Sequence, residues 1–243
     1  MYDPTGNAVD RRFEHVQFLE AEPPHHLRDI VHRFIALRTC QPLLENYRFH
    51  ALPDACVYVV LDQNKPDIAG VTRLKASSEE IDLGRDFHFV NIRFLPGVWQ
   101  DQVGFGSIEQ PYVGDLPLLH LNKALSGLGF SDQQAKLSEF VDDLLAQSKV
   151  SGNQITERIF TQLQDIHSVA DMAEIAGLST RQFQRVLKRT TGFAPHDFLK
   201  IIRLQQSLLG EPSLSYADQS HFIHSFRRAT GYTPGQYARK FYV

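Results

Sequence analysis

The sequence predicts an α+β chain in two parts. A β-rich domain occupies residues 1–128, an all-helical domain occupies 151–243, and a connecting helix lies within 129–150. Three observations predict this. Between residues 47 and 94, short runs rich in β-branched and aromatic residues alternate with Pro, Gly, Asn and Ser, the pattern of antiparallel strands. Beyond residue 150, apolar residues recur at helical spacing instead. Within 168–240 one unit is written twice: 183–198 aligns without a gap on 222–237, an offset of 39 residues (222 minus 183).

Residues 1–12 are polar, contain Pro4 and Gly6, and read as a loose arm. A strand is expected over 13–19. Leu27, Ile30, Val31 and Phe34 then have the spacing of a short amphipathic helix starting after Pro23-Pro24. Strands follow at 47–52, 56–61, 68–74, 80–83 and 87–94, forming an antiparallel sheet or small barrel whose interior would suit a small effector. The stretch 99–128 reads as a Gly- and Pro-punctuated connection, with Gly104-Phe105-Gly106 as a turn. Ser131 is placed to cap a helix reaching about residue 149. Its stripe of Leu137, Phe140, Val141, Leu144 and Leu145 would dock on the sheet or on a partner helix. Ser151-Gly152-Asn153 breaks the chain, and Ile155, Ile159, Phe160 and Leu163 open the helical domain.

The first copy of the repeat carries what a helix-turn-helix needs. Val169, Met172, Ala173 and Ala176 make one apolar stripe on a short helix that Ser168 can cap. Gly177-Leu178 supplies the turn, because glycine takes the left-handed backbone that ends a helix. Ser179 caps the next helix, whose Phe183, Val186 and Leu187 face inward while Arg181, Gln184, Arg185 and Lys188 fall on the outer face. Long donors projected from such a helix can enter the major groove, where Arg reads guanine and Gln reads adenine bidentately. The face alone is equally that of a solvated helical hairpin; the duplicated context favours DNA.

Residues 155–241 resemble the C-terminal DNA-binding domain of the AraC/XylS family of bacterial transcription regulators. The resemblance rests on Ser168-Val169-Ala170-Asp171-Met172-Ala173, Gly177-Leu178-Ser179, Gln184-Arg185, Gly192-Phe193-Ala194-Pro195, Asp218-Gln219-Ser220-His221-Phe222, Phe226-Arg227-Arg228 and Gly231-Tyr232-Thr233-Pro234. It implies that Arg181, Gln184 and Arg185 read bases, with Ser179, Gln182 and Lys188 beside them. In the second copy Gln219, Ser220, His221 and His224 take that part, with Arg227 and Arg228 completing the set. It further implies double-stranded DNA as partner, a homodimer and contact with RNA polymerase. Family members carry two complete units joined by a long helix, here 195–209, with Phe198, Ile201, Ile202, Leu204 and Leu208 as its apolar positions. The 39-residue offset maps 168–176 onto 207–215, where Gly210 and Pro212 forbid a continuous helix. The second unit is therefore expected to lack its supporting helix, its recognition helix packing directly on the linking helix.

Leu52-Pro53-Asp54-Ala55-Cys56 and Asn91-Ile92-Arg93-Phe94-Leu95-Pro96-Gly97 resemble landmarks of a cupin-like N-terminal domain carried by many such regulators, over about 13–125. Arg93 alternates with apolar neighbours. It is a weak candidate for binding an acidic ligand, or the partner of Asp54 in a structural ion pair, which is the favoured reading.

The formal net charge of −3 hides an asymmetry. Residues 151–243 hold 11 Lys and Arg against 7 Asp and Glu, the first 150 hold 14 against 21, and the basic half is the half with the repeat. With no run of 18 apolar residues and no signal peptide, a cytoplasmic protein without a membrane partner is expected. Cys40 and Cys56 read as inert core thiols. His25, His26, His32, His50, His88 and His120 lack metal-ligand spacing, and His88 is expected to face outward into solvent. No nucleophile elbow, phosphate loop or dinucleotide fingerprint occurs, so neither an enzyme, a metal nor a cofactor is expected.

The resulting expectation is a sequence-specific DNA-binding regulator, responsive through its N-terminal domain to an effector. The alternative is an interaction protein of the same descent that binds DNA poorly and pairs with another regulator. A second rival is a DNA-processing enzyme with a cryptic active site in its N-terminal half; Cys40 and Cys56 lack the spacing of the four-cysteine zinc site such proteins use, and metal analysis of the purified protein distinguishes it.

Overall fold

A computed structural model describes residues 2–4, 9–72, 74–100, 110–208 and 219–242. The N-terminal domain contains β1 (Val16–Ala21), β2 (Val31–Thr39), β3 (Tyr47–Ala51), β4 (Val57–Asp62), β5 (Ala69–Val71), β6 (Glu79–Gly84) and β7 (His88–Phe94). All pairings are antiparallel; five strands form one sheet in the order β1-β2-β7-β4-β5, while β3 and β6 pair separately. The expected barrel is thus built as two sheets packed together. Leu37 and Phe89 of the larger sheet share a core cluster with Tyr47, and Phe49 and Leu83 of the smaller sheet pack against it.

The helix expected at 27–34 does not form. A single 3-10 turn at His25–Leu27 leads into β2, an interior strand of the larger sheet. Phe34, Ile35, Ala36 and Leu37 are all buried. A strand covered on both faces reads as a continuous apolar run, and its first members happen to fall at helical spacing.

Phe34, Val59, Val90 and Ile92 lie under α1 (Leu118–Leu125) and α2 (Phe130–Ala146), whose Leu121, Leu137, Phe140, Val141 and Leu144 complete that cluster. The apolar stripe of α2 is therefore consumed within the chain. Helix α1 lies inside the stretch expected to be irregular, since an eight-residue helix is too short to show a clear period. Asn122, almost fully buried, ties it to the sheet by donating to the backbone oxygens of Asp62 and Ile68 at 2.9 and 3.2 Å. Ser131 does not cap α2: the helix starts at Phe130, with Gly129, two residues before Ser131, as its N-cap. Cys56 is buried, and burial raises its thiol pKa, but Cys40, just past the end of β2, is exposed rather than a core thiol.

The helical domain contains α3 (Gln154–Thr161), α4 (Val169–Ile175), α5 (Thr180–Thr191), α6 (Pro195–Leu208), α7 (Gln219–Thr230) and α8 (Pro234–Lys240). Phe198, Ile201 and Ile202 of α6 form a core with Ile159, Phe160, Met172, Phe183 and Leu187. The N-terminal domain closes over it: Ala55 and Cys56 join the same cluster, and the Tyr2 ring stacks on Phe160 at 4.4 Å. Gln205 donates to the Pro53 carbonyl at 2.9 Å.

Gly97 fixes how the helical domain leaves the sheet. Its φ is +80°, and a Cβ there would stand 2.5 Å from Asn153 Nδ2 and 3.2 Å from Thr191 Cγ2. Asn153 is the N-cap of α3, accepting from the Ile155 and Thr156 amides, and its Nδ2 donates to the Gly97 carbonyl at 3.0 Å. Gly97→Ala is expected to cost about 1–3 kcal/mol through backbone strain and loss of this cap, read as a lower denaturant midpoint; an unchanged midpoint would contradict this account of the junction.

Three half-buried or buried imidazoles make acid destabilising. Burial is the first cause that holds His32, His50 and His88 below the ordinary value, with Arg93 adding for His32, Lys240 for His50 and Arg38 for His88. His88 is therefore only partly the solvated residue expected. Above about pH 6.5 these rings are neutral folded or unfolded and add no pH dependence. Below it the unfolded chain takes up protons that the folded chain resists, so stability falls. The denaturant midpoint should hold between about pH 7 and 8 and decline below about 6.5; constancy down to about pH 5 would rule the effect out.

Candidate nucleic-acid interface

Helices α4 and α5 form a helix-turn-helix whose starts are both fixed by reciprocal capping. Ser168 pairs with Asp171, and Ser179 pairs with Gln182. The Ser168 hydroxyl, then the His167 amide, lower the Asp171 pKa. Gly177 makes the turn at φ +69°, and the Leu178 amide donates back to the Ala173 carbonyl at 2.9 Å. Phe183 and Leu187 are completely buried and hold α5 down, with Val186 only partly covered.

This anchoring leaves Arg181, Gln182, Gln184, Arg185 and Lys188 exposed. Three of the expected DNA-facing residues have local work. Ser179 is the cap, Gln182 Oε1 accepts from the Ser179 amide and hydroxyl at 3.2 and 2.8 Å, and Lys188 Nζ donates to the Gly192 carbonyl at 2.6 Å. Among the described residues, no hydrogen bond or ion pair engages Arg181, Gln184 or Arg185. They are long donors on a helix fixed at both ends, with nothing among the described residues to hold them.

The repeat extends to individual hydrogen bonds. Thr191 Oγ1 donates to the Leu187 carbonyl at 2.8 Å and accepts from the Phe193 amide at 3.3 Å. In the second copy Thr230 Oγ1 donates to Phe226 at 2.9 Å and accepts from Tyr232 at 3.2 Å. Gly192 and Gly231 are left-handed, at φ +74° and +79°, and Pro195 and Pro234 start the following helices. The buried threonines close the two readers by satisfying a terminal carbonyl and the amide beyond the turn. The doubled Thr-Gly, at 191–192 and 230–231, is the sequence signal for this stop.

On α7, Ser220, His224, Arg227 and Arg228 are exposed, while the side chains of Gln219 and His221 lie outside the described residues. Residues 209–218, where the missing supporting helix was expected, lie outside them too. Phe226 shares a cluster with Leu204 of α6, against which Phe222 and Leu208 also pack.

The second unit is also fastened to the N-terminal domain. The Ser78 amide donates to the Ala229 carbonyl at 2.9 Å, and His50 lies among the rings of Tyr232, Tyr237 and Phe241. The two ends of the described chain pair as well: the Arg11 amide donates to Lys240 at 2.9 Å and the Tyr242 amide to Val9 at 3.0 Å.

No family model matches the chain. The HTH-type transcriptional regulator MtrA of Neisseria gonorrhoeae is 29% identical over 105 residues, which is 39% of this chain and 35% of that protein. The chain thus spans about a third of that relative's length. The helices of the present chain carry the quoted motifs, Asp218 lying outside the described residues, on two units closed alike on either side of a linking helix. The helical half is similar to an AraC/XylS-type domain in its motifs and helix order. Structures of ToxT from Vibrio cholerae are more distant. The apo form of a variant has a TM-score of 0.42 at 10% identity, covering 93% of this chain and 97% of its own. Another has a TM-score of 0.42 at 12% identity, covering 84% and 95%. Likeness at that level decides nothing about function.

In the N-terminal domain, Arg93 is buried among protein acceptors. Nη1 lies 3.2 Å from Glu20 Oε1, from the Pro4 carbonyl and from His32 Nδ1, and Nε lies 3.9 Å from Asp54 Oδ2. Burial alone would lower the guanidinium pKa; Tyr58, Asp54 and Glu20 reverse that and raise it. Asp54 in turn accepts from Tyr58 Oη and from the Cys56 amide. Among the described residues, no group of three or more His, Cys, Asp or Glu side chains is arranged to hold a metal, and no helix is long and apolar enough to cross a membrane.

Proposed function

We propose that the chain is a sequence-specific regulator of transcription that binds double-stranded DNA through its AraC/XylS-type domain. The observation that carries this reading is the set of three unengaged long donors, Arg181, Gln184 and Arg185, on the doubly anchored helix α5. Arg181 and Arg185 suit guanine and Gln184 suits adenine in the major groove. The second reader contributes Ser220, His224, Arg227 and Arg228, together with Gln219 and His221. Because α7 and α8 rest on the N-terminal domain, a change in that domain alters how the second reader meets DNA. An effector bound there, or the geometry of a homodimer, is the proposed source of that change. A two-fold dimer would set two such chains on repeated half-sites, where RNA polymerase is the expected further contact, in the cytoplasm. The dimer needs a surface other than the apolar stripe of α2, which is buried within the chain.

Competition binding tests the reading. At about 150 mM salt the purified chain should select genomic fragments that bulk DNA displaces poorly, by a factor of about 10³ or more. Its affinity should also fall steeply with salt as phosphate contacts are screened. Equal displacement by bulk DNA would sink the regulator reading in favour of an interaction protein.

A further inference from the structure

The pairing of residues 9–11 with 240–242 builds a cleft of about 460 Å³ between the N-terminal arm and α8. Arg11, Arg12, Arg239, Lys240, Tyr232 and Gln236 line it. The remaining lining residue is the acid Asp10, which is buried and already engaged by Arg12 Nη2 at 2.8 Å. Arg11 Nε donates to the Phe241 carbonyl at 2.9 Å, which directs its guanidinium without neutralising it. Lys240 Nζ donates to Tyr232 Oη at 2.7 Å and lies over the Tyr232 and Phe241 rings. Among the described residues, no carboxylate pairs with Arg11, Arg239 or Lys240. Beyond the lining, Glu80 lies 3.4 Å from Tyr232 Oη, and Glu45 acts on Arg12 through its field. Asp10 is engaged chiefly by Arg12 and acts on Lys240 only through its field, so the four cations around this concavity outnumber its one acid, and an anion seated between them relieves their repulsion.

We propose that this cleft binds a small multivalent oxyanion, an organic phosphate or a di- or tricarboxylate. Guanidinium groups suit both through paired N–H donors, and Tyr232 and Gln236 add neutral polar contacts. The volume exceeds that of a bare phosphate ion and falls in the range of metabolite sites. Duplex DNA is a poorer occupant. The space is bounded by the arm, and among the described residues no side chain of the recognition helix α7 lines it. The ligand would bridge the arm to α8, and so would favour the state in which the second reader is held to the N-terminal domain. In that respect the inference rests on the regulator reading, because it supplies that regulator's effector.

The test is calorimetric titration of the full chain with inorganic pyrophosphate and with citrate, at constant ionic strength. Three proteins are compared: the wild type, Arg239→Glu in the cleft, and Lys136→Glu, an exposed charge on α2, as control. The wild type and the control should bind at least one probe with a Kd below about 1 mM, and Arg239→Glu should weaken it by about tenfold or more. Absence of binding, equal binding by Arg239→Glu, or equal weakening in the control would overturn the proposal. In the absence of probe, Arg239→Glu should hold selected DNA fragments within about threefold of wild type. Loss of DNA in step with pyrophosphate would make the cleft a DNA-backbone contact and overturn the small-anion assignment. Pyrophosphate binding by a chain that selects no DNA would leave the cleft standing while the regulator reading failed.

Discussion

A chain carrying Arg181→Ala and Arg185→Ala is expected to lose affinity for its selected DNA by about 30- to 25,000-fold, since each bidentate guanine contact contributes about 1–3 kcal/mol. Its thermal midpoint should stay where it was. Both side chains are exposed and unpartnered among the described residues, and surface substitutions of that kind usually change stability by less than about 0.5 kcal/mol. Affinity and stability are therefore expected to separate. Binding that survives the double substitution would remove α5 as the reader. Lys188→Ala should differ, because Nζ is tied to the Gly192 carbonyl at the helix end: a small loss spread over all sequences is expected.

Arg93→Ala has the opposite signature. Removing the buried guanidinium leaves Asp54, whose side chain is 10% exposed, without its cation, and breaks the contacts to Glu20 and to the Pro4 carbonyl. Breaking a buried pair from one side costs about 3–5 kcal/mol, and each kcal/mol lowers Tm by about 2–4 °C in a chain of this size. A fall of about 6–20 °C without any ligand present is the expected result. An unchanged Tm would instead favour a residue waiting for an acidic ligand, the other role read for Arg93 in the sequence.

The helical domain was legible because its signals are local and occur twice. The Ser168 and Ser179 caps and the Gly177 turn depend on residues within one or two turns of one another, and each formed where the sequence placed it. The β-rich domain was legible in kind but less so in detail. Whether 27–34 is a helix or a strand depends on both faces of β2 being covered, and that covering comes from α1, α2 and the smaller sheet, remote in sequence. Helix α1 was missed for the same reason: Asn122 and its contacts with β4 and β5 stabilise it more than its own eight residues do. Of the site, the outer face of α5 could be read from spacing, but its division of labour could not. Ser179 could be read as the cap, but only geometry separates Gln182 and Lys188, which hold the helix ends, from Arg181, Gln184 and Arg185, which do not. The attachment of the second reader to β3, β6 and the arm had no sequence signal, because it joins residues such as Ser78 and Ala229 through tertiary packing alone.

The most direct test of α5 as a base reader is a base-by-base substitution scan of a selected site, run with the wild type and with Arg181→Ala. The account predicts that the variant loses discrimination at one or two adjacent positions, guanine in the wild-type site, and keeps its preference elsewhere. Uniform weakening across every position, or a scan identical to the wild type, would contradict it.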